Sequence, residues 1–89
     1  MKKRGEKVHG LNDDQIRRLQ DLKPHYNYGD YGTIAELTGN SRDYVRKVLD
    51  PNFPRWNESI VETATNIIRG RLEEQVKQAE RARLFLLNN

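Results

Sequence analysis

Cysteine is absent from the 89 residues, and the apolar stretches are short. Without cysteine the chain can form neither a disulfide framework nor a thiolate metal site. No apolar run approaches the roughly 18 residues that a membrane span needs. The basic residues Lys2, Lys3 and Arg4 are not followed by the apolar stretch of a secretory signal. The sequence therefore predicts a cytoplasmic protein that has no membrane partner.

Patterns that carry catalysis or metal binding are also missing. The two histidines, His9 and His25, stand apart from each other and from any candidate nucleophile. No paired carboxylates, phosphate-binding glycine loop or catalytic-triad spacing is visible. The sequence therefore predicts neither an enzyme nor a site for a metal, a cofactor or a small-molecule ligand.

Charge is plentiful but nearly balanced. Charged residues make up 33% of the chain and hydrophobic residues 35%, and the net charge is +3. Residues 1–10 carry all of this excess, so total charge argues only weakly for a nucleic-acid partner. The segment 41–57 is locally basic, with four basic and two acidic residues. A length of 89 residues fits one domain with a modest core.

The most informative pattern lies within residues 34–49. Ala35 stands four residues before Gly39, and Val45 and Val48 follow that glycine by six and nine residues. The small Ala35 allows two helices to cross closely, and Gly39 can adopt the left-handed conformation that ends a helix. The spacing predicts two short helices joined by a tight turn, with Val45 and Val48 facing inward.

This arrangement resembles the helix-turn-helix of the lambda-repressor/Cro and lac-repressor type, which occurs in small phage and bacterial regulators. The resemblance covers residues 31–50. In that motif the packing positions are those held here by Ile34, Ala35, Gly39, Val45 and Val48. Thr38 and Asn40, on either side of the turn glycine, depart from it because apolar residues are common there. The polar pair predicts either a wetter corner or a recognition helix that starts one residue late.

The resemblance implies sequence-specific binding of double-stranded DNA, with helix 41–49 in the major groove. It also implies a transcriptional regulator, more often a repressor than an activator. Because Val45, Val48 and Leu49 face the core, the other side chains of the helix must lie outside. The expected DNA-binding residues are Ser41, Arg42, Asp43, Tyr44, Arg46, Lys47 and Arg55.

Roles within this set follow from position. Arg42 and Asp43 lie at the helix end that meets base edges, where arginine pairs with guanine and an acid accepts from cytosine. Arg46 and Lys47 can contact either bases or phosphates one turn further on. Tyr44 can stack on a sugar–phosphate edge, or it can lie against the preceding helix.

Alternative functions remain open beside DNA-binding regulation. The chain could be a helical adaptor that binds protein, with a merely solvated face on helix 41–49, or a DNA-binding recombination accessory factor. The basic arm 1–10 is expected to be flexible, and Lys2, Lys3 and Arg4 either enter a minor groove or remain a solvated tail. The three tyrosines of the connection 25–32 are expected to pack around its glycines rather than to form a stacking platform.

The whole pattern predicts an all-α fold, a compact bundle of three short helices followed by a long C-terminal helix. Residues 11–70 are expected to form the DNA-binding domain. Asn12 and Gln15 form a capping box for the first helix, and Pro24 ends it. Asp30 is expected to cap the second helix. The fourth helix either continues through Gly70 or is kinked there, at a cost of about 1 kcal/mol relative to alanine.

Residues 71–89 carry an apolar stripe with coiled-coil spacing, too narrow to be buried by so small a domain. Such regulators bind two half-sites as dimers, because one helix reads few base pairs. The expected homodimer contacts are Leu72, Val76, Ala79 and Leu86. The alternative is a helix that packs on its own bundle and folds Phe85, Leu86 and Leu87 back.

Overall fold

The predicted all-α fold is confirmed by a computed structural model that describes residues 10–87. The described residues form helices and connections and contain no strand. The basic residues Lys2, Lys3 and Arg4 lie outside the described part, as do the last two residues of the C-terminal extension. The helices are α1 (Asp13–Leu22), a 3-10 turn (Lys23–His25), α2 (Asp30–Thr38), α3 (Arg42–Val48) and α4 (Glu58–Leu87).

Local signals set both ends of α1 as predicted. The Asn12 side chain accepts a hydrogen bond from the Gln15 amide at 2.8 Å, and the Gln15 side chain accepts one from the Asn12 amide at 3.0 Å. The α-helix ends at Leu22, two residues before Pro24, and only a 3-10 turn follows. The capping box and the proline therefore explain where this helix begins and ends.

The core lies where the first part of α4 meets the three shorter helices. Ile34 of α2 and both Val45 and Val48 of α3 have no exposed surface. Phe53 and Trp56 pack over the cluster from the loop before α4. The buried side chains of α4 are Ile60, Val61, Ala64 and Ile68.

The prediction that Asp30 caps α2 is wrong. The helix includes Asp30 and follows Gly29, which has a φ of 92°. The Asp30 carboxylate instead accepts hydrogen bonds from the Asn27 amide at 2.7 Å and from the Arg71 guanidinium at 2.8 Å. Arg71 also donates to the His25 carbonyl at 3.0 Å. Asp30 is buried, so it acts as an anchor that ties α4 to the connection before α2.

The fourth helix is continuous through Gly70, so of the two predicted outcomes the uninterrupted helix is the one observed. Its 30 residues span about 45 Å. Every residue from Leu72 to Leu87 is exposed, and the alternative that this end folds back on its own bundle is therefore wrong. The described part of the chain measures 66 × 30 × 17 Å, and it is elongated because the end of α4 projects beyond the bundle. No described helix has the length and apolar character needed to cross a membrane.

Candidate nucleic-acid interface

The turn between α2 and α3 is closed by backbone and side-chain hydrogen bonds. Gly39 has a φ of 73°, and the Ala35 carbonyl accepts from the amides of both Gly39 and Asn40. The Asn40 amide side chain donates to the Thr38 hydroxyl at 2.9 Å and to the Thr38 carbonyl at 3.2 Å. The Thr38 hydroxyl donates to the Ile34 carbonyl at 2.7 Å. The two polar departures from the motif thus form one network that seals the corner.

Helix α3 begins directly after this turn. The Ser41 hydroxyl accepts a hydrogen bond from the Tyr44 amide at 3.1 Å and caps the helix. Val45, Val48 and the following Leu49 are buried, so one face of α3 is anchored in the core. The helix therefore has a fixed orientation relative to the bundle, and its other face points outward.

Five of the seven residues predicted to bind DNA are exposed at α3: Ser41, Arg42, Asp43, Arg46 and Lys47. Tyr44 is half-buried and packs against the buried core cluster. Arg55 is exposed in the loop after α3 and has no hydrogen bond or ion pair to the described residues. The structure therefore brings five of the predicted residues to one helix surface and leaves Arg55 apart.

Asp43 organises the charges on the outer face of α3. One carboxylate oxygen lies 2.6 Å from the Arg46 guanidinium, and the other lies 3.3 Å from the Lys47 ammonium group. The hydrogen bond from Arg46, followed by that from Lys47, holds the pKa of Asp43 below its ordinary value. The same contact raises the pKa of Arg46. Both cations stay exposed, so an approaching phosphate can reach them but must compete with Asp43.

Arg42 has a different environment. Its guanidinium lies beside Gly32 at the start of α2, where an added Cβ would be 3.7 Å from Nε. A groove of about 270 Å³ opens there, between Arg42 and the residues that precede α2. Arg42 is therefore free of the Asp43 cluster and available to a ligand at the amino end of α3.

Tyr28 is a candidate contact that sequence reasoning missed. It was expected to pack around the glycines with Tyr26 and Tyr31, and only those two pack, with ring centroids 5.4 Å apart. Tyr28 is fully exposed and lines the groove beside Arg42. The signal that could have found it is local, because the flanking asparagine and glycine favour a turn that leaves a side chain outside the core.

The four residues predicted to form a dimer contact lie on the projecting part of α4. Leu72, Val76 and Leu86 are 41%, 60% and 72% exposed, and Ala79 is also exposed. None of them contributes to the core of the bundle. Their apolar surface is therefore available to another molecule.

The described residues contain no group of histidine, aspartate and glutamate side chains that could hold a metal ion. No protein-family model, curated protein or solved structure matches the chain. The helix-turn-helix resemblance therefore stays a prediction.

Proposed function

We propose that the protein binds double-stranded DNA sequence-specifically, with α3 in the major groove. The observation that supports this most directly is the division of α3 into two faces. Val45 and Val48 anchor one face in the core, while Arg42, Arg46 and Lys47 are exposed on the other. An exposed helix with this density of cations matches both the width of the major groove and the charge of its phosphate edges.

The positions of the cations divide their roles. Arg42 lies in the first turn of α3, where a guanidinium can donate two hydrogen bonds to the O6 and N7 atoms of guanine. Arg46 and Lys47 lie in the last turn and are suited to phosphate contacts. Each carboxylate oxygen of Asp43 contacts one cation and keeps a second lone pair, with which it can accept a hydrogen bond from cytosine.

The proposed biological role is that of a homodimeric transcriptional regulator, and a repressor rather than an activator. The dimer supplies two copies of α3, because a single helix of seven residues reads too few base pairs for useful affinity. The exposed apolar end of α4 supplies a surface for that dimer. The repressor role follows from the resemblance to phage and bacterial repressors.

Two double variants with equal loss of charge test the role of α3. Arg46→Ala with Lys47→Ala removes two cations from α3, and Lys77→Ala with Arg81→Ala removes two exposed cations from α4. The first pair should weaken binding to a DNA duplex by at least about tenfold, and it should reduce the slope of log affinity against log salt by about two units. The second pair should change little, because a cation distant from the phosphates releases few counterions.

The same salt titrations can also contradict the proposal. Equal losses in the two double variants would show that only total charge matters, and would contradict the assignment to α3. If the unaltered protein does not bind a duplex at all, the proposed function is wrong. The exposed end of α4 would then favour the protein-binding adaptor.

A further inference from the structure

The end of α4 carries an apolar stripe that no described residue covers. Six of the eight exposed large hydrophobic side chains lie on this end of the helix. Along the stripe, residues 72, 76, 79, 83 and 86 alternate in steps of four and three, so they share one side of the helix. Arg83 is the one charged residue among these five, and an exposed helix side that is otherwise apolar marks an interaction site.

The stripe begins at an open corner between α4 and the end of the bundle. A groove of about 180 Å³ lies there, with apolar walls from Pro24, Ile68 and Leu72 and polar walls from His25, Asn27, Arg71 and Gln75. Ile68 is 5% exposed and Leu72 is 41% exposed, so the apolar core continues outward into the stripe at this point. Hydrogen bonds from Arg71 to Asp30 and to the His25 carbonyl hold the two walls of the corner together.

We propose that a second copy of the chain covers this stripe with its own α4 in antiparallel orientation. In this arrangement Leu86 and Leu87 at the tip of each helix lie against the corner of the other copy. The interface is isologous, because the same corner and the same tip are used twice about one two-fold axis. The inference rests on the homodimer in the proposed function, and it adds the orientation and the register of the helices.

The area available favours this arrangement over the pairing of two stripes alone. The helix from Leu72 to Leu87 is about 24 Å long and about 10 Å wide, and half of its surface is roughly 400 Å². Stable interfaces bury about 800 Å² on each partner. Antiparallel pairing adds a tip-to-corner contact at both ends of the stripe. Parallel pairing would bring the two tips together and leave both corners open.

Charge favours the same orientation. Arg83 lies within the stripe, and in a parallel pair the two copies of Arg83 would face each other with like charges. In the antiparallel register that sets Val76 of one copy against Ala79 of the other, Arg83 instead faces Leu72. Its aliphatic stem can cover that leucine while its guanidinium reaches solvent near Glu73 of the other copy. The cation in the stripe therefore selects against the parallel pair.

Cysteine cross-linking tests the orientation, because the natural chain has no cysteine that could react in its place. Leu72→Cys and Arg83→Cys are made as separate variants of the full chain, one carrying a mass tag. In the proposed register each introduced cysteine lies about 17 Å along the helix axis from the same cysteine in the other copy of the chain. This distance is too long for a disulfide. The mixed sample should therefore form a disulfide-linked heterodimer, and neither variant should cross-link by itself.

The outcomes that would contradict this inference can be told apart, because each one bears on a different claim. Cross-linking of each variant with itself would show a parallel pair and overturn the orientation while the homodimer stands. Sedimentation of the unaltered chain as a monomer at tens of micromolar would overturn the homodimer itself and, with it, this inference. Neither result bears on whether α3 binds a duplex, which the charge variants of α3 and α4 measure separately.

Discussion

Asp43 pairs with both Arg46 and Lys47, so in the proposed complex the DNA phosphates must compete with it for these two cations. Asp43→Asn removes the negative charge but keeps a side chain of similar size. We expect this variant to bind non-specific duplex DNA about three to ten times more tightly, because a charge pair near 4 Å in water is worth about 1 kcal/mol. The measurement is a salt titration of affinity for an arbitrary duplex.

A matched acid in α1 provides the control for this change. Asp21→Asn alters the net charge by the same amount as Asp43→Asn. Asp21 is exposed and forms no ion pair with the described residues, so its replacement releases no cation. An affinity gain as large as that of Asp43→Asn would attribute the effect to total charge. The proposal that Asp43 competes with phosphate for Arg46 and Lys47 would then be wrong.

Tyr26 has a buried hydroxyl that finds no hydrogen-bond partner among the described residues. Because an unsatisfied buried hydroxyl costs about 1–3 kcal/mol, Tyr26→Phe should raise the free energy of unfolding by about 1 kcal/mol. For a domain of this size that corresponds to about 4–8 °C in Tm. Thermal unfolding followed by circular dichroism measures it, and a loss of stability would show that the hydroxyl is bound after all.

The same tyrosine makes stability depend on alkaline pH. Burial, with smaller contributions from Tyr31 and Asp30, raises the pKa of Tyr26 above its ordinary value. Since the unfolded side chain ionises near pH 10, its contribution is complete below that pH and is lost as the pH rises further. In Tyr26→Phe this part of the alkaline decline should be absent when unfolding is measured between pH 9 and pH 11.

Side-chain contacts could be predicted where both partners lie close in sequence. The capping box formed by Asn12 and Gln15 connects residues three positions apart, and it was predicted correctly. The contact between Asp30 and Arg71 joins residues 41 positions apart, and nothing near Asp30 indicates it. An acidic residue at the start of a helix is usually a cap, so local reasoning gave Asp30 the wrong partner.

The turn between α2 and α3 depends on the backbone of Gly39, whose φ of 73° is unfavourable for residues with a side chain. Gly39→Ala should therefore lower the free energy of unfolding by about 1–2 kcal/mol. Chemical denaturation measures the change. No atom lies within 4 Å of an added Cβ at this position, so a loss of stability can be attributed to the backbone rather than to a clash.

Gly70 provides the matched control, because it lies in the middle of α4 and also has open space around it. Gly70→Ala should raise the free energy of unfolding by about 1 kcal/mol through helix propensity. The two glycine substitutions should thus have opposite signs in the same assay. Destabilisation by both would mean that Gly70 is needed for a contact, and equal stabilisation would contradict the importance of the turn.

The helices themselves were largely predictable, since capping residues, proline and apolar spacing mark their ends. The polar network at the turn could not be predicted, although Thr38 and Asn40 stand at positions where apolar residues are common in the motif. Sequence spacing shows that two polar residues flank Gly39, but only the folded geometry shows that the Asn40 amide reaches the Thr38 hydroxyl. The continuity of α4 was left undecided, because the cost of one glycine is small compared with the packing of a long helix.

The projecting end of α4 contributes little to the fold of the bundle. The core residues of α4 end at Ile68, and Arg71 donates hydrogen bonds to the connection before α2 and to Asp30. A chain truncated after Arg71 should therefore keep its helical bundle and sediment as a monomer. Analytical ultracentrifugation with circular dichroism tests this, and a truncated chain that remains dimeric would place the interface elsewhere.

Sequence reasoning identified the candidate surfaces but not how they are arranged. The exposed face of α3 followed from the buried valines, and the apolar stripe of α4 followed from its spacing. The corner at Pro24 and Ile68 could not be predicted, because it depends on how α4 leaves the bundle. Tyr28 was missed because the three tyrosines of the connection 25–32 were expected to pack together around its glycines.

Selection of bound duplexes from a random DNA pool, at near-physiological salt, tests the central claim most directly. The unaltered protein and Arg42→Ala should be compared in parallel. We expect the unaltered protein to enrich an inverted repeat, and we expect Arg42→Ala to lose the preference for guanine at one position of each half-site, with a cost of about 1–3 kcal/mol. No enriched sequence, or an identical sequence for both proteins, would contradict recognition of DNA by α3.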